Sequence, residues 1–147
     1  MRKFHIIILL FVISCSSKNT EQTKRFKQYL TSVHQEEIED KIYILMPLNI
    51  CGSCVKNMTN LLNTSIENTN KLVIILGDYT SVTIKNKAKE LSHFKVLYDN
   101  KMQMVKQSII VGDKIVLLKV KNKQIQQSIS YLPHENEQKI LKFTNNP

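Results

Sequence analysis

The chain has 147 residues, 42% of them hydrophobic, with only three glycines, three prolines and no tryptophan. That length suits one domain and a short appendage, and the composition excludes a disordered, collagen-like or low-complexity chain. The formal charge of +9 comes from lysines scattered along the sequence rather than clustered with aromatics. A solvated basic surface is expected, and no nucleic-acid interface.

Met1-Arg2-Lys3 is a charged start, followed over residues 4–14 by an apolar run too short to span a bilayer. The run ends Val12-Ile13-Ser14-Cys15. Two aliphatic residues, a small residue and a cysteine resemble a bacterial lipobox. That resemblance implies a signal peptide over 1–14, cleavage before Cys15 and lipid on that cysteine. It implies an envelope lipoprotein, held at a membrane by its acyl chains and facing the periplasm or the outside. Residues 15–23 then read as a polar tether, and 24–147 as the folded domain. With Cys15 consumed by lipid, the three cysteines reduce to one pair, which meets an oxidising compartment.

From Lys24 to about Gln35, Phe26, Tyr29, Leu30 and Val33 recur at helical spacing, so a packed helix is expected there. An acidic patch, Glu36 to Asp40, precedes a buried strand over Ile42–Leu48. Cys51-Gly52-Ser53-Cys54 follows within a few residues. Behind it Val55, Met58, Leu61, Leu62 and Ile66 form the apolar stripe of a second helix. Leu72–Leu76 is another fully apolar strand, Ser81–Leu91 a helix, and Phe94–Tyr98 a short strand. The stretch 101–112 fits no single period. Ile115–Val120 and Gln124–Tyr131 make a hairpin about Lys121-Asn122-Lys123, and Glu135–Phe143 closes the chain as a helix. Strand–helix–strand units imply parallel pairing and the late hairpin adds antiparallel strands, giving an α/β domain with a central mixed sheet flanked by helices.

Two thiols one helical turn apart, where a buried strand hands over to a helix, have a chemical use. The first faces the unsatisfied N–H groups and the positive end of the helix dipole, which stabilise a thiolate. The second lies on the same face and can close a disulfide ring.

This order of elements, with CxxC at the first strand-to-helix junction, resembles the thioredoxin-like fold over about residues 24–145. The lipid-anchored single-domain layout is similar to exported TlpA-like reductases. The resemblance implies thiol–disulfide exchange with protein thiols and disulfides of the envelope, Cys51 attacking and Cys54 resolving, and no cofactor. It sets Lys114 and Ile115 in the substrate groove, at the place where the family carries a cis-proline. The sequence departs from the family there, at Ile50, where a tryptophan is usual, and at Leu45, which aligns with a buried acid. Gly52-Ser53 adds neither charge nor histidine, so the couple is expected nearer thioredoxin's roughly −270 mV than DsbA's roughly −120 mV.

Other readings stay open. CxxC at a strand-to-helix turn also resembles heavy-metal-associated domains, although their methionine two residues before the first cysteine is Asn49 here. A soft-metal site could draw on Met46, Met58, Met102 or Met104, but these read better as core filler. His34, His93 and His134 are dispersed and form no metal-ligand pattern. Asp78, Tyr79 and Glu90 could supply polar groups beside the thiols. A redox-inactive interaction domain of the same fold is the third reading.

Overall fold

The computed structural model describes residues 19–66, 69–131 and 137–145. Cys15, the signal segment, Pro133 and His134 lie outside the described residues. Helix α1 covers residues 19–29 and passes into a π-helical turn, Leu30–His34. Strand β1 (Ile42–Pro47), helix α2 (Gly52–Ser65), strand β2 (Leu72–Gly77), helix α3 (Ser81–Glu90) and strand β3 (Lys95–Asp99) follow. Then come a single helical turn α4 (Gln103–Lys106), the hairpin β4 (Ile115–Lys121) and β5 (Gln124–Tyr131), and helix α5 (Glu137–Asn145).

The strands form one sheet in the order β3-β2-β1-β4-β5. β1 pairs parallel with β2, Ile42 opposite Leu72, and antiparallel with β4, Leu45 opposite Val116. The central strand is buried along its whole length, so its residues must be apolar on both faces. Strand alternation then sorts them. Ile42, Ile44 and Met46 pack with α2, α3 and α5, while Tyr43 and Leu45 pack with Phe26, Tyr29 and Leu30 of the N-terminal helix. The expected mixed sheet between helices is the one observed.

Two elements differ from the sequence expectation. The helix expected from Lys24 already covers residues 19–23, which read as tether. Thr23 is the reason: its hydroxyl donates to the Asn19 carbonyl (2.6 Å) and accepts from the Ile125 N–H (3.0 Å). That bridge pins the first turns to β5, a long-range contact that local polarity cannot reveal. The aperiodic stretch after β3 folds around Asp99, whose carboxylate accepts from the N–H groups of Gln103 (2.8 Å) and Met104 (2.7 Å). Met102 takes a left-handed conformation, φ 53°, to enter α4. The Met102 and Met104 thioethers then lie against Gly77, whose missing Cβ leaves them room. Among the described residues, no helix is long and apolar enough to cross a membrane.

Candidate active site

The end of β1 sets the site. The Leu48 N–H donates to the Gly77 carbonyl at 2.7 Å, closing β1 onto β2. The chain then turns through Asn49 and Ile50, and Cys51 becomes the N-cap of α2, with φ −41° and ψ 114°. Its carbonyl accepts from the N–H groups of Cys54 (3.0 Å) and Val55 (3.3 Å), the first bonds of the helix. The buried stripe Val55, Met58, Leu61 and Leu62 fixes the rotation of α2. Cys54 is therefore turned inward, 4% exposed, and Cys51 is left outside. The two thiols are unbridged.

The pair is electrostatically asymmetric. Cys51 is lowered to about 7, first by a hydrogen bond from the Cys54 thiol, then by the Ser53 hydroxyl and the Cys54 N–H. The Ser53 Oγ lies 2.9 Å from the Cys51 Sγ. Cys54 is pushed up to about 11, chiefly by burial and then by the hydrogen bond it gives to Cys51 and the negative charge there. At neutral pH about half of the outer thiol is thiolate, while the inner one holds its proton. An exposed nucleophile beside a protonated partner is what attack on a disulfide followed by intramolecular release requires.

Gly52-Ser53 adds neither charge nor histidine to the site, but the Ser53 hydroxyl does reach the Cys51 sulfur. A hydroxyl at the second helical position reaches back to the N-cap side chain, and its place two residues after Cys51 is the signal in the sequence. Ser53→Ala should raise the Cys51 pKa and slow its alkylation at pH 7 by about fivefold, because less of the thiol is then ionised. At pH 10 the two proteins should react alike. Identical rate–pH profiles would remove Ser53 from the site.

Leu45, aligned with the family's buried acid, lies on the sheet face away from Cys54; Ile44 and Met46 share the Cys54 layer. Lys114 is exposed, whereas Ile115 is fully buried. Ile115 starts β4 at the sheet end where β1 leads to α2. Sequence reasoning missed Tyr131, the last residue of β5. It is 3% exposed and shares the apolar layer of Cys54.

The remaining candidates are engaged elsewhere. The Asp78 carboxylate accepts from the Thr80 N–H at 2.9 Å, and Glu90 pairs with Lys87 at 2.7 Å. Tyr79 is exposed, with the Lys106 ammonium 5.5 Å from its ring centre. His34 bonds the Tyr29 hydroxyl at 3.1 Å, and His93 lies against Phe94. Met46, Met58, Met102 and Met104 are all buried. No three His, Cys, Asp or Glu side chains come together among the described residues.

No protein-family model matches the sequence, and no curated protein does. Solved structures do match. A crystal structure of a "putative electron transfer protein" from Aquifex aeolicus VF5 aligns with a TM-score of 0.50 at 16% identity, over 73% of this chain and 78% of that one. The fold is thioredoxin-like. The mixed sheet, its strand order and the cysteine pair at the head of α2 agree with that assignment. A solution structure of a "putative thioredoxin" from Neisseria meningitidis aligns with a TM-score of 0.49 at 19% identity, over 74% of this chain and 78% of that one. At such identities the likeness concerns the fold alone. In this thioredoxin-like frame the cysteine pair occupies the junction between the central strand and the helix that follows it.

Proposed function

We propose that the protein is a thiol–disulfide oxidoreductase of the cell envelope, working as a reductase and anchored through lipid on Cys15. The observation that carries the reading is the split pair: an exposed Cys51 near pKa 7 beside a buried Cys54 near 11. The Cys51 thiolate attacks one sulfur of a substrate disulfide and expels the other as a thiolate. Cys54 then attacks Cys51, the internal disulfide forms, and the second substrate sulfur leaves. The dithiol supplies both electrons, so no cofactor enters. An outer thiol near 7 matches the range of thioredoxin-type centres, about 7, rather than the strongly acidic DsbA type, about 3.5, and this supports the reducing direction. Protein disulfides are the substrates of this reading, which the exposure of Cys51 supports.

The test is oxidation of the reduced protein by glutathione disulfide. One internal Cys51–Cys54 disulfide and two glutathiones per protein are expected. A dithiol that stays reduced, yet takes up zinc or copper tightly and stoichiometrically, would replace this reading by the metal-binding one. The anchor has its own test. Cys15→Ala should move the protein out of the detergent phase on partitioning, and retention there would contradict lipidation at Cys15.

A further inference from the structure

Helix α1 begins next to the hairpin turn. The Thr23 hydroxyl donates to the Asn19 carbonyl (2.6 Å) and accepts from the N–H of Ile125 (3.0 Å), the second residue of β5. The register of the sheet gathers lysines at that same end. Ile42 starts β1 opposite Lys119, Leu72 starts β2 beside Ile42, and Lys121 closes β4 opposite Gln124. Lys41, Lys71, Lys119 and Lys121 line one cleft there with Asp40, and Lys24 and Lys27 of α1 line another with Gln124. The acids nearby are already engaged. Asp40 accepts from the N–H groups of Asn122 (2.8 Å) and Lys123 (2.7 Å), Glu39 pairs with Lys41 (2.7 Å), and Glu37 with Lys123 (3.5 Å). Lysine is in excess over these acids, so this end of the sheet carries a positive field. Cys15 stands four residues before Asn19, and four residues span at most about 14 Å. Lipid on Cys15 would hold this end within about two Debye lengths of the headgroups. The thiols belong to the other end. β1 runs from Ile42 to Pro47 before the chain reaches Cys51, a rise of about 20 Å.

We propose that the hairpin-turn end of the sheet is a membrane-facing surface, whose lysines, Lys71 and Lys121 foremost, bind the phosphates of an anionic bilayer while Cys51 is held on the far side. This inference rests on lipidation at Cys15 and adds to it the orientation of the anchored domain and the lipid that it meets. Ammonium groups and phosphate oxygens form charge-assisted hydrogen bonds. Each lysine brought to such a surface favours it about fivefold. The anchor and the lysines together then fix which end of the domain faces the membrane, and the exposed thiol is presented to disulfides away from it.

The full chain, isolated with its lipid, is added to preformed vesicles of phosphatidylcholine, or of phosphatidylcholine and phosphatidylglycerol in equal parts. Acetic anhydride is pulsed at low salt, and each lysine is read by peptide mapping. Lys71 and Lys121 are both exposed, and on the anionic vesicles they should be acetylated about fivefold more slowly than on the neutral ones. Salt at about 0.5 M should remove the difference. Lys56 and Lys114, at the thiol end, should be acetylated alike on both, and Cys51 should be alkylated alike. Equal acetylation of Lys71 and Lys121 on the two vesicles, or protection at Lys56 and Lys114 instead, would overturn the inference and leave the anchor standing. Loss of the protein from neutral vesicles at high salt, with an intact mass that shows no lipid, would overturn the anchor and this inference with it.

Discussion

Asp99→Ala is expected to destabilise the protein by about 3–5 kcal/mol, because it removes one acceptor from several buried donors at once. Asp99 is 1% exposed. Its carboxylate accepts from the Tyr29 hydroxyl at 3.1 Å and from the N–H groups of Gln103 and Met104. Truncation leaves the buried Met104 N–H without its acceptor and the Tyr29 hydroxyl with His34 alone, and each lost partner costs about 1–3 kcal/mol. The loss also reaches the site. Asp99 orders the turn into α4, and α4 sets the two thioethers against Gly77, which is paired with Pro47 at the end of β1. Chemical denaturation monitored by far-UV circular dichroism reads the difference. A change below about 1 kcal/mol would show that water or a rearranged turn replaces the carboxylate.

The same network gives stability a pH dependence. His34, which bonds the Tyr29 hydroxyl, has its pKa lowered by burial, with Asp99 and Glu36 opposing. The unfolded chain therefore takes up the His34 proton first as pH falls. Its contribution is intact above the ordinary value of 6.5 and is eroded as pH drops from there through the lowered folded value.

Cys51→Ser should reduce disulfide exchange to the background rate, with little effect on stability. The outer thiol is exposed and packs against nothing that its oxygen analogue would disturb. A serine hydroxyl, however, stays protonated at neutral pH and cannot attack sulfur as the half-ionised thiol does. Alkylation of reduced wild type should follow a titration with its midpoint near 7, and this component should vanish in Cys51→Ser. The residual slow component belongs to Cys54, near 11. A variant that keeps its exchange rate would move the nucleophile away from Cys51.

The sheet is legible in the sequence because its central strands are buried on both faces. Ile42–Pro47 and Leu72–Gly77 are continuous apolar runs, and the stripe from Val55 to Leu62 has one period and one partner. The thiol pair is legible for the same reason, since a strand-to-helix junction fixes which cysteine faces out. What stays hidden depends on side chains that reach across the fold. Thr23 binds β5 from 102 positions away, and Asp99 folds the residues after it by accepting their N–H groups. Neither leaves a period in the sequence. Leu45 falls on the face of the N-terminal helix, and Ile44 and Met46 on that of Cys54, because strand side chains alternate. Tyr131 reads as the last apolar residue of a hairpin, and only the packing of the sheet sets it in the same apolar layer as Cys54.

The most direct measurement of the central claim is trapping by Cys54→Ser. With the releasing thiol removed, attack on glutathione disulfide should stop at the first step, and a single Cys51–glutathione adduct should accumulate at neutral pH. Peptide mapping should place it on Cys51 alone, and its rate of formation should titrate near 7. Cys51→Ser should form no adduct on this timescale. If Cys54→Ser gives no adduct, and Cys51 alkylates at the slow rate of an ordinary cysteine, the domain keeps the fold and lacks the chemistry.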